Sequence, residues 1–132
     1  MALTAARNTP QRDGGGRTHS FTIAASVTIY PGALVALNAA GDLTPGAVAT
    51  TLTAVGRAAT GGTLLADVTA TVERGVFKFK NSASGDLITK ADWGKSVYIV
   101  DDETVAKTNG STTRSVAGIC RGVDADGVWV ET

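Results

Sequence analysis

The sequence of 132 residues predicts an all-β protein, a small barrel or sandwich of two pseudo-repeated halves with an extended N-terminal arm. Three observations carry that prediction. Gly, Thr, Ala and Val dominate, with 16 glycines, a mixture that suits pleated surfaces and tight turns. No long stretch carries the i, i+3, i+4 apolar spacing of a helix. The two halves also rhyme at an offset of 62 residues: Pro31, Gly32, Val35 and Leu37 are echoed by Trp93, Gly94, Val97 and Ile99, and Val55, Gly56 and Ala58 by Ala117, Gly118 and Cys120. At the same offset Asp67 and Val68 fall opposite Trp129 and Val130. The period is too long, and the copies too few, for an open solenoid, so two units packing as one β-domain are expected.

Taken in order, residues 1–19 read as a flexible arm. Arg7, Arg12 and Arg17 recur at intervals of five, opposed only by Asp13, and three glycines precede Arg17, so nothing there offsets the entropy of ordering. Residues 20–132 form the β-rich domain. Phe21, Ile23, Ala25, Val27 and Ile29 alternate with Thr22, Ala24, Ser26, Thr28 and Tyr30, the period of one half-buried strand ended by Pro31 and Gly32. A short strand follows over 33–37, then turns at 38–42 and 44–46, one or two strands within 48–58, and a turn at 60–63. Val68, Ala70 and Val72 share one parity and Phe77 and Phe79 the other, which predicts a bulge or tight bend at Gly75. A turn at 82–86 precedes one helical turn capped by Thr89, with Asp92 three residues on. Strands over 95–100, 116–121 and 128–131, with tight turns at Asn109–Gly110 and Asp126–Gly127, bring the expected number to about eight to ten. The expected core is Phe21, Ile23, Val27, Ile29, Val35, Leu37, Val68, Val72, Phe77, Phe79, Val97, Ile99, Val116, Ile119 and Val130.

Formal net charge is zero, and only 18% of residues are charged, so no polyanion partner is indicated and burial of surface against copies or a larger partner is expected. Cys120 is the one cysteine and sits in an apolar run, the setting of a buried structural thiol. Residues 1–6 are too short for the apolar segment of a signal peptide and no run is long enough to span a bilayer, so the expectation is synthesis in the cytoplasm without a membrane partner.

Catalytic chemistry finds little to stand on. His19 is the one histidine and falls at the junction of the arm and the first strand, so neither a triad nor a histidine metal cluster is expected. Asp101, Asp102 and Glu103 are adjacent, not alternate as a calcium loop needs, and read as a solvated turn; Asp124–Gly127 reads as a hairpin. Gly14–Thr18 lacks the lysine, the preceding strand and the following helix of a phosphate loop. Lys78 and Lys80 alternate with Phe77 and Phe79, placing the aromatics on the opposite face, as core and not as base-stacking platforms. Trp93 and Trp129 fall at loop or edge positions, suited to a sugar, a neighbouring subunit or hydrophobic fill.

Glu73–Phe79 resembles the "EGVFEL"-type strand of the capsid cement, or head decoration, proteins of tailed bacteriophages. Gly94–Ile99 is similar to that family's "GDxVYW" step, Ser115–Cys120 to its "IGVA" strand, and 26–37 to its opening strand pair, so the likeness runs in order over about residues 20–131. Trp93 and Ser96 depart from the pattern, and the arm is longer. The resemblance implies a non-enzymatic structural protein of the virion, without cofactor, that binds the outer surface of an assembled head and bridges neighbouring major capsid proteins. Together with the low charge it points to self-association, as a homotrimer at local three-folds; the arginine spacing of the arm and the loop or edge positions of the tryptophans, and not the resemblance, give Arg7, Arg12, Arg17, Trp93 and Trp129 as the expected contact residues. The reading from a different class is a carbohydrate-binding module on the virion surface, with Trp93 or Trp129 as the platform.

Overall fold

The computed structural model describes residues 16–60, 62–63 and 68–132. In the first half the strands are β1 (Thr18–Thr22), β2 (Thr28–Ile29), β3 (Leu34–Leu37), β4 (Leu43–Pro45), β5 (Thr53–Ala58), β6 (Gly62–Thr63) and β7 (Thr69–Glu73). In the second they are β8 (Val76–Asn81), β9 (Ser96–Ile99), β10 (Thr104–Ala106), β11 (Val116–Asp124) and β12 (Gly127–Glu131). Two short 3-10 turns, Ser84–Asp86 and Lys90–Asp92, lie between β8 and β9. The all-β prediction holds: the second half is a closed barrel of order β10-β8-β12-β11-β9, and the first a five-stranded sheet of order β1-β7-β5-β3-β4, with β2 and β6 paired beside it.

The two orders are the same topology written twice. Val35 pairs with Gly56 and Ala36 with Ala54 across a bulge; 62 residues on, Val97 pairs with Gly118 and Tyr98 with Val116 across the same bulge. The glycine is required in both copies. A Cβ on Gly56 would lie 2.2 Å from the Glu73 carbonyl oxygen, and one on Gly118 2.2 Å from that of Glu131. The turns repeat as well: Gly32 N–H donates to Ala58 O and Gly94 N–H to Cys120 O, both at 2.8 Å.

The correspondence expected for the last strand needs correction. Val72 and Glu73 pair with Ala58 and Arg57, as Val130 and Glu131 pair with Cys120 and Ile119, so Val72, not Val68, answers to Val130 and the offset falls to 58. The path from Ala58 to its partner Val72 is four residues longer than the path from Cys120 to its partner Val130. Asp67, the other residue of that comparison, lies outside the described residues.

Other expectations change for local reasons. The ten-residue strand over 21–30 is two strands, because Ala24 N–H donates to Leu43 O and the chain then turns through Ser26 at φ 65°. β1 begins at Thr18, so His19 lies within the strand and not at its junction with the arm. Thr44 and Pro45 belong to β4 and not to a turn; β4 ends the order of its sheet, where a proline without N–H is tolerated. Gly62 and Thr63, read as turn, pair with Ile29 and Thr28. β10, three residues long, had no counterpart among the expected strands, and the described residues hold twelve strands in place of eight to ten. Gly75 does mark a bend, the crossover from β7 in one sheet to β8 in the other.

Each half has its own core. Ile23, Ile29, Val35, Leu43, Ala70 and Val72 fill the first, and Phe79, Ile88, Val97, Ile99, Val105, Val128 and Val130 the second. β3 joins them. Its alternate residues point to opposite faces, so Val35 enters its own core while Leu34 and Ala36 enter the core of the second barrel. Hydrogen bonds cross the same seam: Leu34 N–H donates to Asp102 O at 2.7 Å and Leu52 N–H to Ser115 Oγ at 3.1 Å, while Ser115 Oγ donates to Ala49 O at 2.6 Å. Of the expected core, Phe21, Val27, Leu37, Val68 and Phe77 are half-buried against these clusters, and Ile119 is half-buried outside them. Val116 is 46% exposed, because the bulge in β11 turns its side chain outward. Cys120 is fully buried, as expected.

Candidate interaction surface

On β12, Val128 and Val130 face the core, so Trp129 between them faces out from the second barrel, 39% exposed. β12 is paired on both sides, with β8 and β11, and so is not the edge position expected for Trp129. Trp129 lies across from Lys78 on β8 and Gly122 on β11. A Cβ on Gly122 would sit 3.4 Å from the indole, so the bare glycine makes the bed on which the ring rests. The Lys78 ammonium lies 5.3 Å from the ring centroid, within cation–π reach. Asp124 Oδ2 accepts from Trp129 Nε1 at 3.2 Å and from Lys78 Nζ at 3.3 Å.

Arg121, the residue before Gly122, carries a second such pair. Its guanidinium lies 4.9 Å from the Trp93 ring centroid, and its Nε is paired with Glu131. Trp93 follows the 3-10 turn at Lys90–Asp92 and is 60% exposed. That turn is fixed by Asp92, whose buried Oδ2 accepts from the Thr89 N–H at 2.9 Å and Oγ1 at 3.3 Å, the contact expected of a capping residue. Neither tryptophan is hydrophobic fill.

Charge on this face is committed internally. Lys78 also approaches Asp126 at 3.9 Å, and Arg121 has Glu131. The Asp124 carboxyl is held below its ordinary value, first by the Asp126 N–H and then by Lys78 and the Trp129 indole. Asp124 also takes the Gly127 N–H, closing the hairpin expected over 124–127. Lys80 points outward and pairs with Glu103 at 2.9 Å, while Phe79 is buried, so the aromatics of β8 and its lysines do occupy opposite faces. Asp101–Glu103 form a turn closed by the Asp101 carboxylate on the Glu103 N–H.

The other expected contact residues are not brought here. Arg17 is exposed beside Thr18, Glu73, Arg74 and Phe77, and its carbonyl takes the Arg74 N–H at 2.7 Å. Arg7 and Arg12 lie outside the described residues. His19 Nε2 is bonded to Gly16 O at 2.7 Å. Among the described residues no cluster of three or more His, Cys, Asp and Glu side chains is arranged to hold a metal ion, and no helix is long and apolar enough to cross a membrane. Sequence reasoning singled out both tryptophans but missed Lys78 and Arg121 as their partners; alternation along β8 shows only that Lys78 faces outward, not that it lies beside Trp129. Comparison of the chain with family models, with curated proteins and with solved structures finds no match.

Proposed function

We propose that the protein is a structural component of a tailed-phage virion that binds the outer surface of the assembled head and bridges neighbouring major capsid proteins, with no catalytic role. The observation that carries this reading is the placement of the resembling segments. Taken in order, the segments in 73–79, 94–99 and 115–120 supply β8, β9 and β11, three strands of one closed barrel. The fourth segment, 26–37, supplies β2 and β3 of the first half, so the likeness follows the strand sequence of both halves. A ligand that binds the lattice and not its separated subunits stabilises the lattice by mass action. The proposal extends to trimers at local three-folds of the shell. It also extends to the arm, which gives way to β1 at Thr18 and not after residue 19, and whose Arg7, Arg12 and Arg17, spread over roughly 35 Å when extended, reach carboxylates on a neighbouring subunit.

Expanded heads lacking the protein should rupture at lower temperature, and on milder osmotic shock, than heads carrying it. Equal rupture temperatures with and without bound protein would contradict a cementing role. The sugar-binding reading draws its support from two exposed indoles on one barrel. It predicts saturable quenching of tryptophan fluorescence by a glycan in the absence of heads.

A further inference from the structure

The duplication supplies an internal control for deciding which surface residues the fold does not need. Register pairs Thr71 with Ser20 in the first half as it pairs Trp129 with Lys78 in the second, so these positions are equivalent. The offset of 62 likewise equates Pro31 with Trp93 and Ala59 with Arg121. The first half forms the corresponding strands with Thr71 and Ser20 in them, Pro31 in the turn before β3 and Ala59 just past the end of β5. Two indoles and two cations on the second barrel thus answer to no demand of folding, whereas the bulge glycines, which folding does demand, are kept in both halves.

We infer that the outward face bearing Trp93, Arg121, Trp129 and Lys78 is the surface by which the protein docks on the protein shell, an inference that rests on the reading of the chain as a head-binding protein. Charge selects this occupant. Lys78 is matched by Asp124 and Asp126, and Arg121 by Glu131, so neither of the cations over the indoles is left for a polyanion or an anionic membrane, which suits a protein surface without strong charge. The cations lie over the rings and occupy part of the π-surface that a sugar would stack on. Each indole is held by its cation, and Trp129 also by Asp124, so little rotamer freedom is lost on docking, and tryptophan and arginine are among the residue types enriched at interface hot spots.

The chain contains two tryptophans, so its indole emission reports this face alone. Full-length protein is added to empty expanded heads assembled from the major capsid protein of the same virus. Binding is followed by co-sedimentation, and the face by emission wavelength and acrylamide quenching. The expected result is saturable binding with a blue shift and several-fold weaker quenching. Trp129→Ala and Trp93→Ala should each weaken binding by on the order of thirtyfold at unchanged melting temperature, the range of an interface hot spot. Tyr30→Ala, at an exposed aromatic of the first half, should bind as the parent does. Should either tryptophan variant unfold, the quenching of the parent protein still decides. Binding to heads with unchanged emission and quenching overturns this inference and leaves head binding intact. Absence of binding overturns both. A blue shift that grows with protein concentration alone, or on adding a glycan, assigns the face to a second copy or to a sugar and overturns the inference.

Discussion

Gly118 and Gly56 hold the two halves to one geometry for a steric reason that single side chains can test. At Gly118 the neighbour that a Cβ would strike is a backbone carbonyl of the adjacent strand, which cannot swing away. Gly118→Ala is expected to cost about 3 kcal/mol or more in urea unfolding, at the upper end of overpacking penalties. Gly41→Ala, at φ +87° with no atom within 4 Å, should cost only the conformational strain of about 1–2 kcal/mol. Equal costs at the two positions would show that the bulge can relax. Asp92 provides the titration test. Its carboxyl is held below the ordinary value of 3.8, first by the Thr89 N–H and then by Lys107 and Lys95, against the opposing effect of burial. A lowered folded value means the stabilisation is fully present above pH 3.8 and is lost as pH falls through the folded value beneath it. Asp86, lowered chiefly by the Thr108 hydroxyl with help from Arg114, and Asp124 act with the same sign. Thermal melts over that acid range should therefore show a steeper loss of stability for the parent than for Asp92→Asn.

At the scale of the elements, the two halves differ in how they close. The second barrel is closed by β8 and β10, where Thr104 pairs with Lys80 and Val105 with Asn81, and Lys80 N–H donates to Glu103 O at 2.7 Å. The first half has only the bridge of Ile23 with Leu43 at the equivalent place. Arg74 N–H donates to Arg17 O and Ile23 N–H to Val68 O, so the odd residues of β1 direct their backbone groups toward β7 and the even ones toward the open side. The amides of Ser20 and Thr22 should then exchange with solvent orders of magnitude faster than that of Lys80 in hydrogen-exchange NMR. Comparable protection would mean the first half is closed as well. The same scale shows what was legible in the sequence. The bulge, the turn before it and the strand between them recur at an offset of 62 because glycines and small residues mark positions where geometry leaves no choice, so the fold class and that part of the repeat could be read directly, while the offset of 58 for the last strand could not. β4 and β10 could not, since three residues are too few to show alternation and Pro45 signals a turn wherever its strand lacks a neighbour. The break at Ser26 was hidden because alternation continued across it. Trp93 and Trp129 were visible as candidates, and alternation turns Lys78 outward, but one sequence does not show that β8 pairs with β12 or that β11 runs beside the turn at Trp93.

As a whole molecule, the chain should unfold as one unit despite its two cores. Leu34 is fully buried in the second core yet belongs to a strand of the first sheet, and its N–H is bonded to Asp102 O. Leu34→Ala should cost about 2–5 kcal/mol and lower a single calorimetric transition, with calorimetric and van't Hoff enthalpies equal. Two separable transitions would show that the seam is weaker than either core. The proposed role belongs to this scale too, because cementing depends on the protein telling an assembled lattice from its parts. The most direct measurement is co-sedimentation of full-length protein with expanded empty heads, set beside gel filtration with the dissociated capsid protein. The account predicts saturable, stoichiometric binding to the heads and none to the separated subunits. Equal binding to both, or binding to neither, would contradict it.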